Sequence, residues 1–383
     1  TFKPGEIETG DGIDFVLNDI ENTYALESAA YLQNEQKIGK RFSMTYGLRY
    51  SNFAQIGPGD IYTFNEDGDA IDTTTYGNWD LVKMYHGLSP RFSAKYLLDE
   101  YSSVKASYSR TYQYMHLLSN ATASSPTDIW IPSSNNVKPQ IADQWSLGYF
   151  RNFADNMFEF SIEGYYKNML NAVDYRDGAE VTLNPTVEGE LLFGNARAYG
   201  AEFLVKKKKG KISGWVSYTL ARSEKQIDGI NNGDWYAAKQ DRTHDVSIVT
   251  MFNLHPQFTA SIAWVYYTGN AVTFPSGKYE IEGQVVNYYT ERNGYRMPDY
   301  HRLDVGLTYS TKKFKTIIDP DSGEEKEVPR RWESSWNLSV YNAYGRENAY
   351  SISFRENAIT GETEAVQVAL FKIIPALTYN FKF

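Results

Sequence analysis

Counting back from Phe383, every second residue of the last segment is apolar: Phe381, Tyr379, Leu377, Pro375, Ile373 and Phe371. Between them stand Lys382, Asn380, Thr378, Ala376, Ile374 and Lys372. A period of two puts one greasy face and one mostly polar face on a single strand. The pattern recurs along the chain. Phe42, Met44, Tyr46, Leu48 and Tyr50 alternate with Ser43, Thr45, Gly47 and Arg49. Phe258, Ala260, Ile262, Trp264 and Tyr266 do the same, as do Leu303, Val305, Leu307 and Tyr309. Helical spacing is nowhere sustained. The alternation predicts strands near 22–35, 40–53, 85–98, 101–115, 140–152, 156–169, 196–208, 211–224, 243–254, 257–269, 300–312, 332–356 and 366–383. Each is long enough to cross a bilayer at a tilt, which takes roughly 9–11 residues.

The connections are of two kinds. Short ones lie near 37–40, 99–100, 154–155, 208–210 and 255–256. Long ones lie near 54–84, 116–139, 170–195, 225–242 and 270–299. They alternate, as tight periplasmic turns and long extracellular loops do in an outer-membrane barrel. The stretch 311–331 breaks the rule. By phase it is periplasmic, yet it is long and carries Asp319-Pro-Asp-Ser-Gly-Glu-Glu-Lys-Glu327, so it reads as a solvated insertion. The phase runs both the first and the last strand toward the periplasm and makes 1–20 an extracellular loop. Two terminal strands of the same direction cannot close antiparallel, and bacterial barrels have an even strand number. Residues 21–383 are therefore expected to be the C-terminal part of a larger transmembrane antiparallel up-and-down β-barrel.

Composition narrows this further. Among 383 residues there are 31 Tyr, 20 Phe and 8 Trp, so aromatics reach 15%. The mean hydropathy of −0.51 and the lack of a long apolar run exclude a membrane helix, leaving a half-polar barrel as the way to span. Cys is absent, so disulfides and thiolate metal sites are excluded. A net charge of −9 argues against a nucleic-acid partner.

Local motifs then point to a family. Tyr31–Asn34, Tyr46-Gly-Leu-Arg-Tyr50, Leu88-Ser-Pro-Arg-Phe92, Ser107-Tyr-Ser-Arg110 and Asn136-Val-Lys-Pro139 follow one another in order. Glu163-Gly-Tyr-Tyr-Lys167, Tyr199-Gly-Ala-Glu202, Met297-Pro-Asp-Tyr-His-Arg-Leu-Asp304, Val340-Tyr-Asn-Ala-Tyr344 with Asn348, and the terminal Phe complete the series. Together they resemble TonB-dependent outer-membrane transporters, in a style similar to those of the Bacteroidota. The resemblance implies a 22-stranded barrel with an N-terminal plug, of which this chain supplies strands 10 to 22. It implies energised import of a nutrient ligand, with TonB and its inner-membrane complex acting through a plug not in this sequence. The family's terminal strand, here Tyr379, Phe381 and Phe383, is read by the barrel-assembly machinery. A surface lipoprotein and other outer-membrane subunits stay open as partners. Two other readings also stay open: a transporter-like barrel with a structural role in an envelope complex, and a passive porin.

No cofactor, metal or catalytic group is expected. The five His are scattered, and no phosphate loop, dinucleotide fingerprint or nucleophile elbow is present. Asp241-Arg-Thr-His-Asp245 and the run 299–304 are expected to cap loop ends and form lumen ion pairs rather than do acid–base work. Ligand contacts are sought on the loops. Trp79, Trp130, Trp235, Tyr236 and Tyr289 could stack on a sugar, peptide or siderophore, as could Tyr288 and Tyr295. Arg242, Arg292 and Arg296 suit an anionic group. The competing expectation is girdle packing for the aromatics and pairing with Asp228, Asp234 or Glu291 for the arginines. In the lumen, Arg49, Glu159, Glu163, Lys167, Glu202 and Arg302 are expected to pair with one another or the plug. The Lys206–Lys209 run reads as a solvated turn.

Overall fold

The computed structural model describes residues 22–118, 129–179, 184–281, 284–318, 325–356 and 363–383. The expected extracellular loop 1–20 lies outside the described residues, as does 319–324 of the charged insertion. Thirteen strands follow one another, each hydrogen-bonded to the next, in one antiparallel sheet. They are β1 (Tyr24–Ile38), β2 (Phe42–Ile56), β3 (Leu81–Leu97), β4 (Ser102–Gln113), β5 (Gln140–Phe153), β6 (Phe158–Tyr175) and β7 (Leu191–Lys207). Then come β8 (Ile212–Ile227), β9 (His244–His255), β10 (Phe258–Tyr267), β11 (Tyr300–Ser310), β12 (Glu333–Tyr341) and β13 (Ile374–Lys382). A two-residue strand, Tyr236–Ala237, pairs with β8 at its loop end. Among the described residues β1 and β13 do not pair. As the ends of an odd number of antiparallel strands they run in the same direction, as the loop phase required.

The register shows how the alternation is used. Tyr46, Leu48 and Tyr50 of β2 lie opposite Phe92, Pro90 and Leu88 of β3. Ile262, Trp264 and Tyr266 of β10 lie opposite Val305, Leu303 and His301 of β11. Leu338 and Trp336 of β12 meet Leu377 and Tyr379 of β13. One face is thus continuous in Leu, Val, Tyr, Phe and Trp. The other carries Arg49, Ser89, Glu163, Thr219 and Asn337. Many large apolar side chains of the first face are exposed on interior strands too, Leu147 at 62% and Leu88 at 52%. Exposure of that extent over a whole sheet face is what lipid contact demands. No helix is long and apolar enough to cross a membrane.

The strands overrun the bilayer. At a rise of about 3.3 Å per residue, the 18 residues of β6 run roughly 59 Å, well beyond an apolar band about 25 Å tall. The excess stands above the membrane on the long-loop side. There the structure departs from expectation, because the loops are themselves β-structure. Hairpins form at Gly59–Phe64 with Ala70–Tyr76, Met115–Leu118 with Ile129–Pro132, and Gly277–Ile281 with Gln284–Tyr288. The expected strand 332–356 is corrected in the same way. It stops at Tyr341, and Ser351–Glu356 turns back onto Thr363–Val368 as a separate hairpin. The break is at Asn342, which has φ 54 and is 1% exposed. Its side-chain amide donates to the carbonyls of Arg346 and Lys372, at 2.8 and 2.7 Å. The charged insertion is a hairpin too, Phe314–Ile318 with Glu325–Pro329, on the short-turn side.

Candidate functional site

The loop end of β6 organises the mouth. At Asn171 (φ 56) the register slips by one residue between Leu170 and Ala172. A bulge of this kind re-aims the residues beyond it. It turns Asp174 toward the polar face, where its carboxylate is 9% exposed. Lys225 of β8 approaches it at 3.1 Å and the Tyr236 hydroxyl donates to it at 2.9 Å. Arg292, from the β10–β11 loop, donates to it at 2.9 Å. Arg292 also donates to the Tyr175 carbonyl at 3.1 Å and to Asp177 at 2.6 Å, and lies 4.6 Å over the Tyr175 ring. Its backbone is clamped as well. The Asn231 amide accepts from the Arg292 N–H at 2.7 Å and donates to the Arg292 carbonyl at 3.0 Å. One buried carboxylate thus ties the loops after β6, β8 and β10 together.

A second buried acid lies beside it. Asp241 is 1% exposed, accepts from the Ser223 N–H at 2.5 Å, and pairs with Arg296. Arg296 further donates to the carbonyls of Asp241 and Gly269, at 2.7 and 3.2 Å. Arg242 donates to Asn270 at 2.9 Å and stacks 3.8 Å over Tyr267. The run 299–304 is similarly structural. Asp299 accepts from Tyr266 at 2.7 Å, Arg302 pairs with Asp304 at 2.9 Å, and Asn348 bridges both backbone groups of His301. Loop capping and a lumen ion pair are what the sequence led one to expect of these two runs.

The candidate ligand residues therefore divide. Tyr236, Arg242, Arg292 and Arg296 are brought together in the inter-loop joint. Trp235 lies at its edge, under the Arg197 guanidinium at 3.9 Å. Trp79, Trp130 and Tyr289 stand apart on separate loops, 74%, 57% and 52% exposed. Tyr288 and Tyr295 are exposed as well. The expected arginine partners are corrected. Arg292 pairs with Asp174 and Asp177, and Arg296 with Asp241, not with Asp228, Asp234 or Glu291. The reason is reach. The loops fold across one another, so each guanidinium finds a carboxylate from a different connection. Asp174 was missed because its strand overruns the bilayer and the bulge breaks the alternation just before it. In the lumen, Glu159 pairs with Lys208 at 2.9 Å, while Glu163 sits opposite Glu202 in the register, two like charges on one wall. Tyr379, Phe381 and Phe383 line the outer edge of β13, with ring centroids 6.0 and 5.2 Å apart in succession.

The β4–β5 loop carries a pH-sensitive group. His116 is 1% exposed, with Nε2 3.3 Å from the Ser133 hydroxyl and no partner for Nδ1 among the described residues. Burial pulls its pKa down to about 4. The unfolded imidazole titrates near 6.5, so the neutral ring's contribution is fully present above about pH 6.5 and is lost as pH falls through about 4. The shift corresponds to about 3 kcal/mol of loop packing. Glu188, from the loop after β6, accepts from Asn136 of the β4–β5 loop at 2.7 Å; it is pushed up by burial and titrates in the opposite sense. Proteolysis of the 115–132 loop is expected to rise between pH 6.5 and 4, and His116→Gln to flatten that rise. An unchanged profile in the variant would assign the response elsewhere.

A family model described as TonB dependent receptor-like, beta-barrel matches residues 4–343. No curated protein matches the sequence. Among solved structures, the closed form of the ferric-catecholate import receptor Fiu from E. coli K12 superposes with a TM-score of 0.55 at 16% identity, covering 93% of this chain and 44% of that one. The siderophore receptor PiuA from Acinetobacter baumannii gives 0.56 at 14% identity, over 94% and 43%. The pyoverdine-bound receptor FpvA from Pseudomonas aeruginosa PAO1 gives 0.56 at 12% identity, over 94% and 42%. At these identities the likeness is one of fold, and the chain spans less than half the length of these receptors.

Proposed function

Since the chain belongs to the TonB-dependent receptor β-barrel family of the outer membrane, a family of receptors and transporters rather than enzymes, we propose that it forms the C-terminal strands and most of the mouth of a barrel that imports a nutrient ligand. Further strands would close the sheet between β1 and β13, and a plug inside them would couple ligand binding to TonB and its energising complex. A ferric siderophore is the favoured ligand class, because Fiu, PiuA and FpvA are named for such cargo. The observation that carries the reading is the mouth itself. Long loops gather on one edge of a lipid-facing sheet and are fastened to each other by buried ion pairs. A fastened mouth holds a fixed binding surface above a wide polar lumen, which a non-selective porin does not need. Within it, exposed Trp79, Trp130 and Tyr289 are the stacking candidates. Arg242, Arg292 and Arg296 act by fastening the loops after β6, β8 and β10, the last of which presents Tyr289.

The test uses the full-length protein in its own cells under iron limitation. Deleting the gene is expected to abolish uptake of one ferric siderophore, and a protonophore to do the same. Trp130→Ala with Tyr289→Ala is expected to weaken binding without lowering the amount of protein in the outer membrane. Uptake that survives the protonophore would make the barrel a passive pore. A deletion that alters no uptake but dissolves an envelope complex would favour the structural role, for which the 314–329 hairpin on the periplasmic side is the natural contact.

A further inference from the structure

On the lipid-facing side of β4 to β8 the register lines up an unbroken polar row. Arg110, Asp143, Asn168, Arg197 and Glu224 are successive cross-strand partners. Arg110 pairs with Asp143 at 2.7 Å, and Arg197 with Glu224 at 2.8 Å. The next row toward the membrane is aromatic, Tyr108, Trp145, Tyr166 and Tyr199, with adjacent ring centroids 5.5, 6.2 and 6.3 Å apart. That row ends on Arg222, not on another ring. Arg222 gives its Nε to Glu224 at 2.9 Å, and among the described residues its two terminal nitrogens have no partner. Three arginines and two carboxylates leave this stretch with a net positive charge. Trp235 covers Arg197, so Arg222, 43% exposed at its side chain, is the guanidinium on offer. It is the tenth residue past Ile212. At about 3.3 Å per residue and a tilt of about 40°, it stands roughly 25 Å from the periplasmic end, at the outer edge of the apolar band.

Below Arg222 the outer face is notched. A groove of about 1020 Å³ is walled by Trp145, Leu147, Tyr166, Tyr199 and Leu220, with Arg222 at its rim. Its floor is at the cross-strand pair Gly164 and Ala201. Gly164 has no backbone reason to be glycine. Its φ is not positive, and a Cβ there would meet nothing nearer than the Gly200 carbonyl at 3.9 Å. Glycine inside a strand weakens it and marks a place where something else comes close. Among the described residues, none fills the space.

We propose that this groove is a site for a membrane lipid with a negatively charged phosphate headgroup, its acyl chain lying in the notch over Gly164 and its phosphate on Arg222. The groove opens onto the face that meets lipid, its walls are apolar, and its upper rim has spare N–H donors at headgroup depth. Guanidinium and phosphate match in charge and in fork geometry. The site rests on the lipid-facing assignment of that surface. It does not depend on the transported ligand, so a failed uptake experiment leaves it standing.

Native mass spectrometry of the full-length receptor, reconstituted with either phosphatidylglycerol or phosphatidylcholine of the same chains, tests it. Wild type is expected to retain one phosphatidylglycerol about tenfold more strongly than phosphatidylcholine, the size of one charge-assisted contact. Arg222→Gln is expected to erase that preference while leaving weak retention of both lipids. Gly164→Leu, which fills the notch, is expected to abolish retention of both. Unchanged electrophoretic heat-modifiability in each variant shows that the barrel still folds. Equal retention of the two lipids by wild type, or wild-type retention in Gly164→Leu, would overturn the assignment. So would a two-chain mass lost on the same substitutions, which would give the groove to a second copy.

Discussion

Replacing Arg292 with alanine is expected to open the mouth of the barrel while leaving the sheet intact. The guanidinium, 7% exposed, neutralises Asp174 and holds Asp177 and the Tyr175 carbonyl. Without it, Asp174 stays buried with Lys225, the Tyr236 hydroxyl and the Tyr175 N–H. Removing one member of a buried pair costs about 3–5 kcal/mol, and the remaining partners place this case at about 3. That raises the open population of the joined loops by roughly a hundredfold. The measurement is proteolysis at 228–243 and 268–299, expected to accelerate by that order, with heat-modifiability of the barrel unchanged. Adding Asp174→Asn should return part of the loss, because the stranded charge is gone. A further variant, Arg292→Lys, separates two roles of Arg292. If it contacted ligand directly, Arg292→Lys would weaken ligand binding with no change in loop proteolysis. If it fastens the loops, both change together. Unaltered proteolysis in Arg292→Ala would remove the buried pair as the device that holds the mouth.

The membrane-crossing part was legible because lipid enforces period two. Tyr46, Leu48 and Tyr50 must all face one way, so the residues between must face the other, and thirteen strands with their directions follow from that alone. The motif series read as a resemblance also held, and two of its pieces now have physical reasons. Asn342 ends β12 by capping two carbonyls, and Asn348 pins His301. Above the bilayer the enforcing solvent is gone. The hairpin Gly59–Phe64 with Ala70–Tyr76 is surrounded by water and other loops, so neither face has to be apolar and no period betrays it. The joint is harder still. Asp174 and Arg292 are 118 residues apart, and local pattern does not reach that far. The arginines stood out in the sequence as charged loop residues, yet their partners were sought in the same loops, because neighbours in sequence are all that a sequence offers. The notch over Gly164 was invisible for a related reason. One glycine in an alternating strand reads as tolerated small volume until the register sets it beside Ala201 and beneath two tyrosines.

Deleting Phe383 is expected to remove most of the protein from the outer membrane while scarcely touching the stability of whatever still folds. Among the described residues the side chain is 92% exposed and has a ring contact with Phe381 alone, at 5.2 Å. Exposed positions of this kind contribute within about 0.5 kcal/mol of nothing to a folded state. Any large effect of the deletion must therefore act before folding is complete. β13 is suited to that stage. It pairs on one side with β12, and its other edge stays open until the closing strands of the proposed barrel reach it. A bare, apolar strand edge either aggregates or is taken up by a partner that supplies the missing strand. The run Tyr379, Phe381, Phe383 gives such a partner a row of rings on one face, as the family resemblance implies for the barrel-assembly machinery. Two measurements separate the stages: the amount of full-length protein in the outer membrane, and refolding of the purified variant into detergent micelles. Loss of the first with retention of the second is the expected result. Full insertion of the deletion variant would show that the terminal ring is not read, and loss of refolding as well would show that it acts through the fold after all.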